Sequence, residues 1–240
     1  KGTSNTNQRG LNLQGALTTV GGAVIIRGEN GASEASNANT NWGAGVMFTD
    51  DSSLETTSGT ITINGFTNTD STGGVHRHAG VMIGMEYFSG TLQDGYADAS
   101  IKSGTGAISI SGTSSSTTAN RDGIIFRQGS VTSTSGSITL AASSARTDAY
   151  DLNFGASRTG NVINTGGAVT ITGGTNAATS AFSGSTITAG GALTLNVNKP
   201  TFTSMTLNGA GPKTIQHPTT ATDFGADVNI TGISFASTST

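Results

Sequence analysis

Cysteine is absent from this chain of 240 residues, proline occurs three times, and only 10% of the residues are charged. Without cysteine there is no disulfide framework and no thiolate metal site, and a chain free of cross-links suits export in an unfolded state. The longest apolar runs, Ala23 to Ile26 and Val81 to Ile83, are far too short to cross a bilayer. Eleven basic residues spread thinly, against a formal charge of −3 and a pI of about 5.5, give no stripe to track a phosphate backbone, so nucleic acid is not an expected partner. Aromatic content is 5% and apolar content 33%, low for a globular domain. Disorder is not the reading, because it comes with high net charge or abundant proline and the apolar residues here fall in phase. No signal peptide is visible and the chain opens on Lys1, as expected for a processed product or a piece of a longer polypeptide.

What the chain has in abundance is glycine, threonine and serine, arranged in a phrase that keeps returning. A glycine leads an apolar, polar, apolar alternation at Gly22 to Ile26, Gly59 to Ile63, Gly106 to Ile110, Gly136 to Leu140, Gly167 to Ile171 and Gly191 to Leu195. A period of about 30 residues with strand-type alternation in every copy is the signature of a solenoid. Two further columns accompany the phrase. One is an apolar triplet ending on a large residue, at Val46 to Phe48, Val81 to Ile83, Ile124 to Phe126 and Leu152 to Phe154. The other is a short polar–apolar strand at Ser53 to Thr56, Ser100 to Ser103, Ser130 to Ser133, Asn161 to Asn164 and Ser185 to Thr188.

Three short strands per repeat, separated by glycine corners, predict an all-β fold: a parallel β-helix of about seven coils with loop insertions on one side. Side chains alternate faces along a strand, so stacking would ladder Ile61, Ile108, Ile138, Val169 and Leu193. Ile63, Ile110, Leu140, Ile171 and Leu195 would form the neighbouring ladder, and Phe48, Ile83, Phe126 and Phe154 a third. Thr62, Ser109, Thr139, Thr170 and Thr194 would line the outside. A single such column lacks the paired threonines of an ice-binding face. The whole of 1–240 reads as one solenoid, with a decorated insertion at 75–98. The segment 197–224, which holds Pro200, Pro212 and Pro218, reads as a distorted or protruding coil, because proline removes a ladder donor.

The string from Ser53 to Ile63 and its copy from Ser130 to Leu140 resemble the repeats of filamentous-haemagglutinin-type exoproteins, the large bacterial surface adhesins exported by two-partner secretion. A looser copy runs from Thr186 to Leu195, and the resemblance covers about residues 10–196. It implies a secreted, right-handed β-helix that holds binding elements away from the bacterial cell surface. It carries over no catalytic residue, so no enzyme activity and no cofactor are expected. The implied partner is a glycan or protein on a host or neighbouring cell. A second reading, from uncapped solenoid edges, is an extracellular filament or sheath in which the partner is the chain itself, stacked end to end. A third is a carbohydrate-active or tailspike-like β-helix.

Binding candidates cluster in the insertion. His76 and His78 stand two apart, on one face of an extended strand, but a zinc site needs at least three protein ligands; Glu86, Asp94 or Asp98 could supply a third. Tyr87 and Tyr96, aromatics flanked by polar groups in a loop on a rigid scaffold, suit carbohydrate or protein contact. Asp50 and Asp51 align with Glu86 of the following coil, with Arg127, Gln128 and Arg158 further along. Stacked carboxylates of that kind could hold a sugar, a calcium ion or acid–base chemistry; they also suit surface turns on a polar rod. No phosphate loop, nucleophile elbow or calcium β-roll motif is present.

Overall fold

The apolar–polar alternation of each glycine phrase becomes one strand, and phrases from successive repeats hydrogen-bond side by side. The computed structural model describes residues 9–30, 43–68, 78–88, 91–96, 98–115, 121–146, 149–155, 161–174, 179–198, 200–216, 223–224, 229–230 and 233–236. In these the fold is all-β. An eight-stranded parallel sheet takes one strand from each repeat: Val24–Asn30, Ile61–Thr67, Ile108–Ser114, Ile138–Ser144, Val169–Thr172, Leu193–Asn196, Lys213–Gln216 and Ile233–Ala236. The other two strands of each repeat belong to a 15-stranded sheet, parallel apart from one hairpin. That sheet folds about the long strand Gly43–Thr56, whose first half pairs with His78–Phe88 and whose second half pairs with Ala99–Ser103.

Register follows the sequence periodicity closely. Ile61, Ile108, Ile138, Val169 and Leu193 are consecutive partners, as are Ile63, Ile110, Leu140, Ile171 and Leu195. All ten are buried in one apolar core. The core also takes the ladder of Phe48, Ile83, Phe126 and Phe154, which runs on through Phe182 and Phe202. From Phe126 onward four rings stack with centroids 5.1–5.2 Å apart. The outer column reads Thr62, Ser109, Thr139, Thr170, Thr194, Thr214. Lys213 takes the place after Leu193 in the first ladder; it is buried, and its ammonium donates to the Gly209 carbonyl at 2.5 Å.

One sequence alignment slips. Val131 pairs with Ile163 and Ile163 with Ile187, so Val162 lies outside the core column that it seemed to continue. The cause is at the corner that follows. In three repeats a buried hydroxyl three residues before the phrase glycine accepts that glycine's N–H: Thr56 from Gly59 at 3.0 Å, Ser103 from Gly106 at 2.8 Å, Ser133 from Gly136 at 2.9 Å. In the next repeat Thr165 does this only two residues before Gly167, at 2.9 Å, and a corner shorter by one residue moves the strand before it by one. The same hydroxyls bind the repeat below. Ser103 donates to the Gly59 carbonyl at 2.9 Å, Ser133 to Gly106 at 3.0 Å and Thr165 to Gly136 at 2.5 Å. Where Ala189 replaces the hydroxyl, Gly191 donates straight to the Gly167 carbonyl at 2.9 Å.

Residues 197–224 hold Pro200–Thr203, Thr206–Asn208 and Lys213–Gln216, which keep parallel pairing with the repeat before them. Pro200 and Pro212 are placed where they cost no ladder bond inside a strand. Pro200 is the first residue of its strand, and Pro212 precedes the next, its carbonyl accepting the Leu193 N–H at 2.8 Å. Pro218 lies outside the described residues.

Candidate functional site

The decorated stretch divides in two. His78 to Ile83 belong to the stacked sheet, because Val81 and Ile83 fill core positions. Gly84 is the extra residue of a register shift, with a φ of 79°, and a Cβ there would fall 1.7 Å from the Gln128 carbonyl oxygen, so only glycine fits. After Met85 the strand has no further partner in the parallel stack and pairs antiparallel with Thr91–Tyr96: Met85 opposite Tyr96, Glu86 opposite Gln93, Tyr87 opposite Leu92, Phe88 opposite Thr91. Four of the sequence candidates, Glu86, Tyr87, Asp94 and Tyr96, therefore share one hairpin, with Asp94 in its register shift. His76 lies outside the described residues. His78 is 4% exposed and sits in register between Gly43 and Arg121, in the sheet from which the hairpin grows.

The hairpin returns at Asp98, and the corner there is polar. The Asp98 N–H donates to Asp51 Oδ1 at 3.1 Å, and Gln128 Nε2 donates to Asp98 Oδ1. Asp51 holds a left-handed φ of 56°, a conformation that aspartate tolerates better than most residues. Sequence alignment sets Glu86 beside Asp51; the structure puts Asp98 there, since the pairing of Thr49 with Met85 is the last before the strand turns away. Asp98 is the residue that sequence reasoning undervalued. Its signal was present: it stands two residues before Ser100, as Asp51 stands two before Ser53.

A second polar cluster is buried between the sheets. Gly45, Gly80 and Gly123 occupy one column of the larger sheet, and Asp151 follows them in the next repeat. Asp151 is fully buried. Its Oδ1 accepts the Ser144 N–H at 2.7 Å, while Oδ2 has no partner. Burial pushes its pKa up to about 6, with nearby Asp122 adding to the rise and the backbone N–H groups of Ser144 and Gly174 opposing it. Asp122 is anchored separately, accepting the Tyr150 N–H at 3.1 Å and Asn153 Nδ2 at 2.9 Å. Among the described residues no three His, Asp or Glu side chains gather closely enough to hold a metal ion, and no helix is long and apolar enough to cross a membrane.

No protein-family model, no curated protein and no solved structure matches the chain.

Proposed function

We propose that the chain is a right-handed parallel β-helix with three short strands per coil, serving as a structural and adhesive segment of a secreted bacterial cell-surface exoprotein. The observation that carries this reading is the unbroken parallel register of the eight-stranded sheet, one strand per repeat, combined with a hairpin leaving the parallel pairing after Met85 and rejoining it at Asp98. Each repeat adds one strand spacing of about 4.8 Å, and a stack growing by one step per repeat is a rod. A rod anchored at a cell surface displays whatever projects from its side, and loops on rigid scaffolds are where contacts concentrate. The hairpin with Glu86, Tyr87, Asp94 and Tyr96 is the projecting element, and a glycan or protein on another cell is its partner.

Small-angle scattering of the purified chain, together with a cell-attachment assay on chain lacking residues 85–96, tests both halves. A rod-like profile with attachment lost on deletion is expected. A compact, isotropic profile would remove the rod, and undiminished attachment would remove the hairpin's role. A second reading, end-to-end assembly, is favoured by the exposure of Leu17, in the strand Arg9–Thr19 that pairs with Gly43–Thr56 alone, and of Val20 just after it. Concentration-dependent growth in sedimentation velocity is its signature.

A further inference from the structure

Two columns of glycine face each other across the first repeats. A Cβ on Gly28 would fall 1.9 Å from the Gly45 carbonyl oxygen, one on Gly65 1.9 Å from that of Gly80, and one on Gly112 2.3 Å from that of Gly123. With no side chains between them the sheets close until backbone meets backbone. An open groove of about 390 Å³ lies on the outer surface of the eight-stranded sheet, with Gly28 and Gly65 of the pinch in its lining. The groove stops where the columns stop: in the next repeat Ala142 stands in line with Gly112, and Asp151 follows Gly123.

Its walls are two rows of outward side chains at strand spacing, Arg27, Asn64 and Ser111 on one side and Glu29, Phe66 and Thr113 on the other. Phe66 is the one aromatic residue on the outer face of this sheet among the described residues, whose other outward positions in the middle repeats are threonine, serine, asparagine and alanine. It is half-buried in the groove wall.

We propose that this groove binds a neutral oligosaccharide, with one sugar ring lying on the Phe66 ring and its hydroxyls bonded to the flanking rows. The chemistry selects that class. Volume falls in the range of small-ligand clefts, about 300–1,000 Å³. Arg27 and Glu29 offset each other in charge, which disfavours a phosphate or polyanion. The remaining groups pair donors with acceptors (amide at Asn64, hydroxyls at Ser111 and Thr113), as a ligand made of hydroxyls requires. A single aromatic face amid such groups suits a ring that is apolar on its flat side and polar at its rim. Strand spacing along the rows is close to the length of one sugar ring, so successive rings would meet successive repeats. This ligand class deepens the adhesive reading and rests on it, but it places the contact on the sheet face rather than on the hairpin.

The test is saturation-transfer NMR and calorimetry with cellotriose, maltotriose, mannotriose and chitotriose, on the wild-type chain, Phe66→Ala, Ser111→Trp and chain lacking residues 85–96. At least one trisaccharide is expected to bind. Phe66→Ala should weaken it by about tenfold or more, Ser111→Trp should block it by filling the groove, and hairpin deletion should leave it intact. Circular dichroism of each variant separates lost binding from lost folding, and Ser111→Trp, outward on the surface, keeps the question open should Phe66→Ala unfold. Binding by none of the four sugars, or binding unaffected by both groove variants, overturns the groove as a saccharide site and leaves the rod standing. Binding lost only on hairpin deletion also overturns it, and supports the hairpin instead.

Discussion

The first repeats and the later ones hold the same register by opposite means. Between Gly28 and Gly123 the facing columns carry no side chains, and the sheets approach until a carbonyl oxygen occupies the space that a Cβ would need. From the repeat of Asp151 onward, side chains fill that space. Asp151 reaches to the Ser144 N–H, and the side chains of Asp151 and Ser180 stand where a Cβ on Gly173 would point. In the separate core column, which is filled throughout, the rings of Phe154, Phe182 and Phe202 continue the stack begun at Phe126. Parallel pairing is indifferent to which solution is used, because it needs only strands at the right spacing. The two regions therefore differ in what breaks them: added volume harms one, and removed volume the other.

The largest effect expected is in the filled region. Phe154→Ala removes a ring stacked on both sides, at 5.2 Å and 5.1 Å, and should cost about 4 kcal/mol in urea unfolding. A loss below about 1 kcal/mol would mean that the ladder collapses freely around the gap. Next comes overpacking in the pinched region. Gly65→Ala should destabilise by about 3 kcal/mol, since the new methyl meets fixed backbone at 1.9 Å. Gly173→Ala, in line with Ala142 but outside the pinch, meets its nearest atoms at 3.3–3.4 Å and should stay within about 1 kcal/mol of wild type. Equal effects at the two glycines would erase the distinction between the regions.

The smallest of the three contrasts depends on pH. The carboxyl of Asp151 titrates near 3.8 when unfolded and is pushed up to about 6 in the fold. The folded chain thus holds the extra proton between those values, and this group's contribution to stability falls as pH rises from about 4 to about 6. Above that it is constant. Asp151→Asn is uncharged throughout, so its stability relative to wild type should rise across that window by roughly 2–3 kcal/mol. Urea melts at pH 4 and pH 7 measure it, and an unchanged difference would mean that Asp151 is ionised with little penalty.

Strands, ladders and their order were legible along most of the chain because each phrase carries its own alternation. Ile61 and Ile63 are inward and Thr62 outward whatever lies beyond them. The second-strand slip at Val162 was not legible, since it depends on a corner one residue shorter, set by the hydroxyl of Thr165. The hairpin's pairing was not legible either: Glu86 reads as the neighbour of Asp51, but the register shifts at Gly84 and Glu86 pairs with Gln93 instead. Glycine in the phrases was read as corner chemistry, whereas Gly28, Gly65 and Gly112, outside those phrases, act through a contact with a second glycine column on the facing sheet, less than one repeat further along the chain.

By itself the sequence determined an all-β chain of stacked repeats and which residues of each strand face inward, because period-two alternation and a returning phrase are local properties. Tertiary structure alone decided where the two sheets touch, where a groove opens above that contact, and which carboxylate is buried with a displaced pKa. Those follow from distances between repeats and between sheets, and such distances are fixed only when all the strands are packed together.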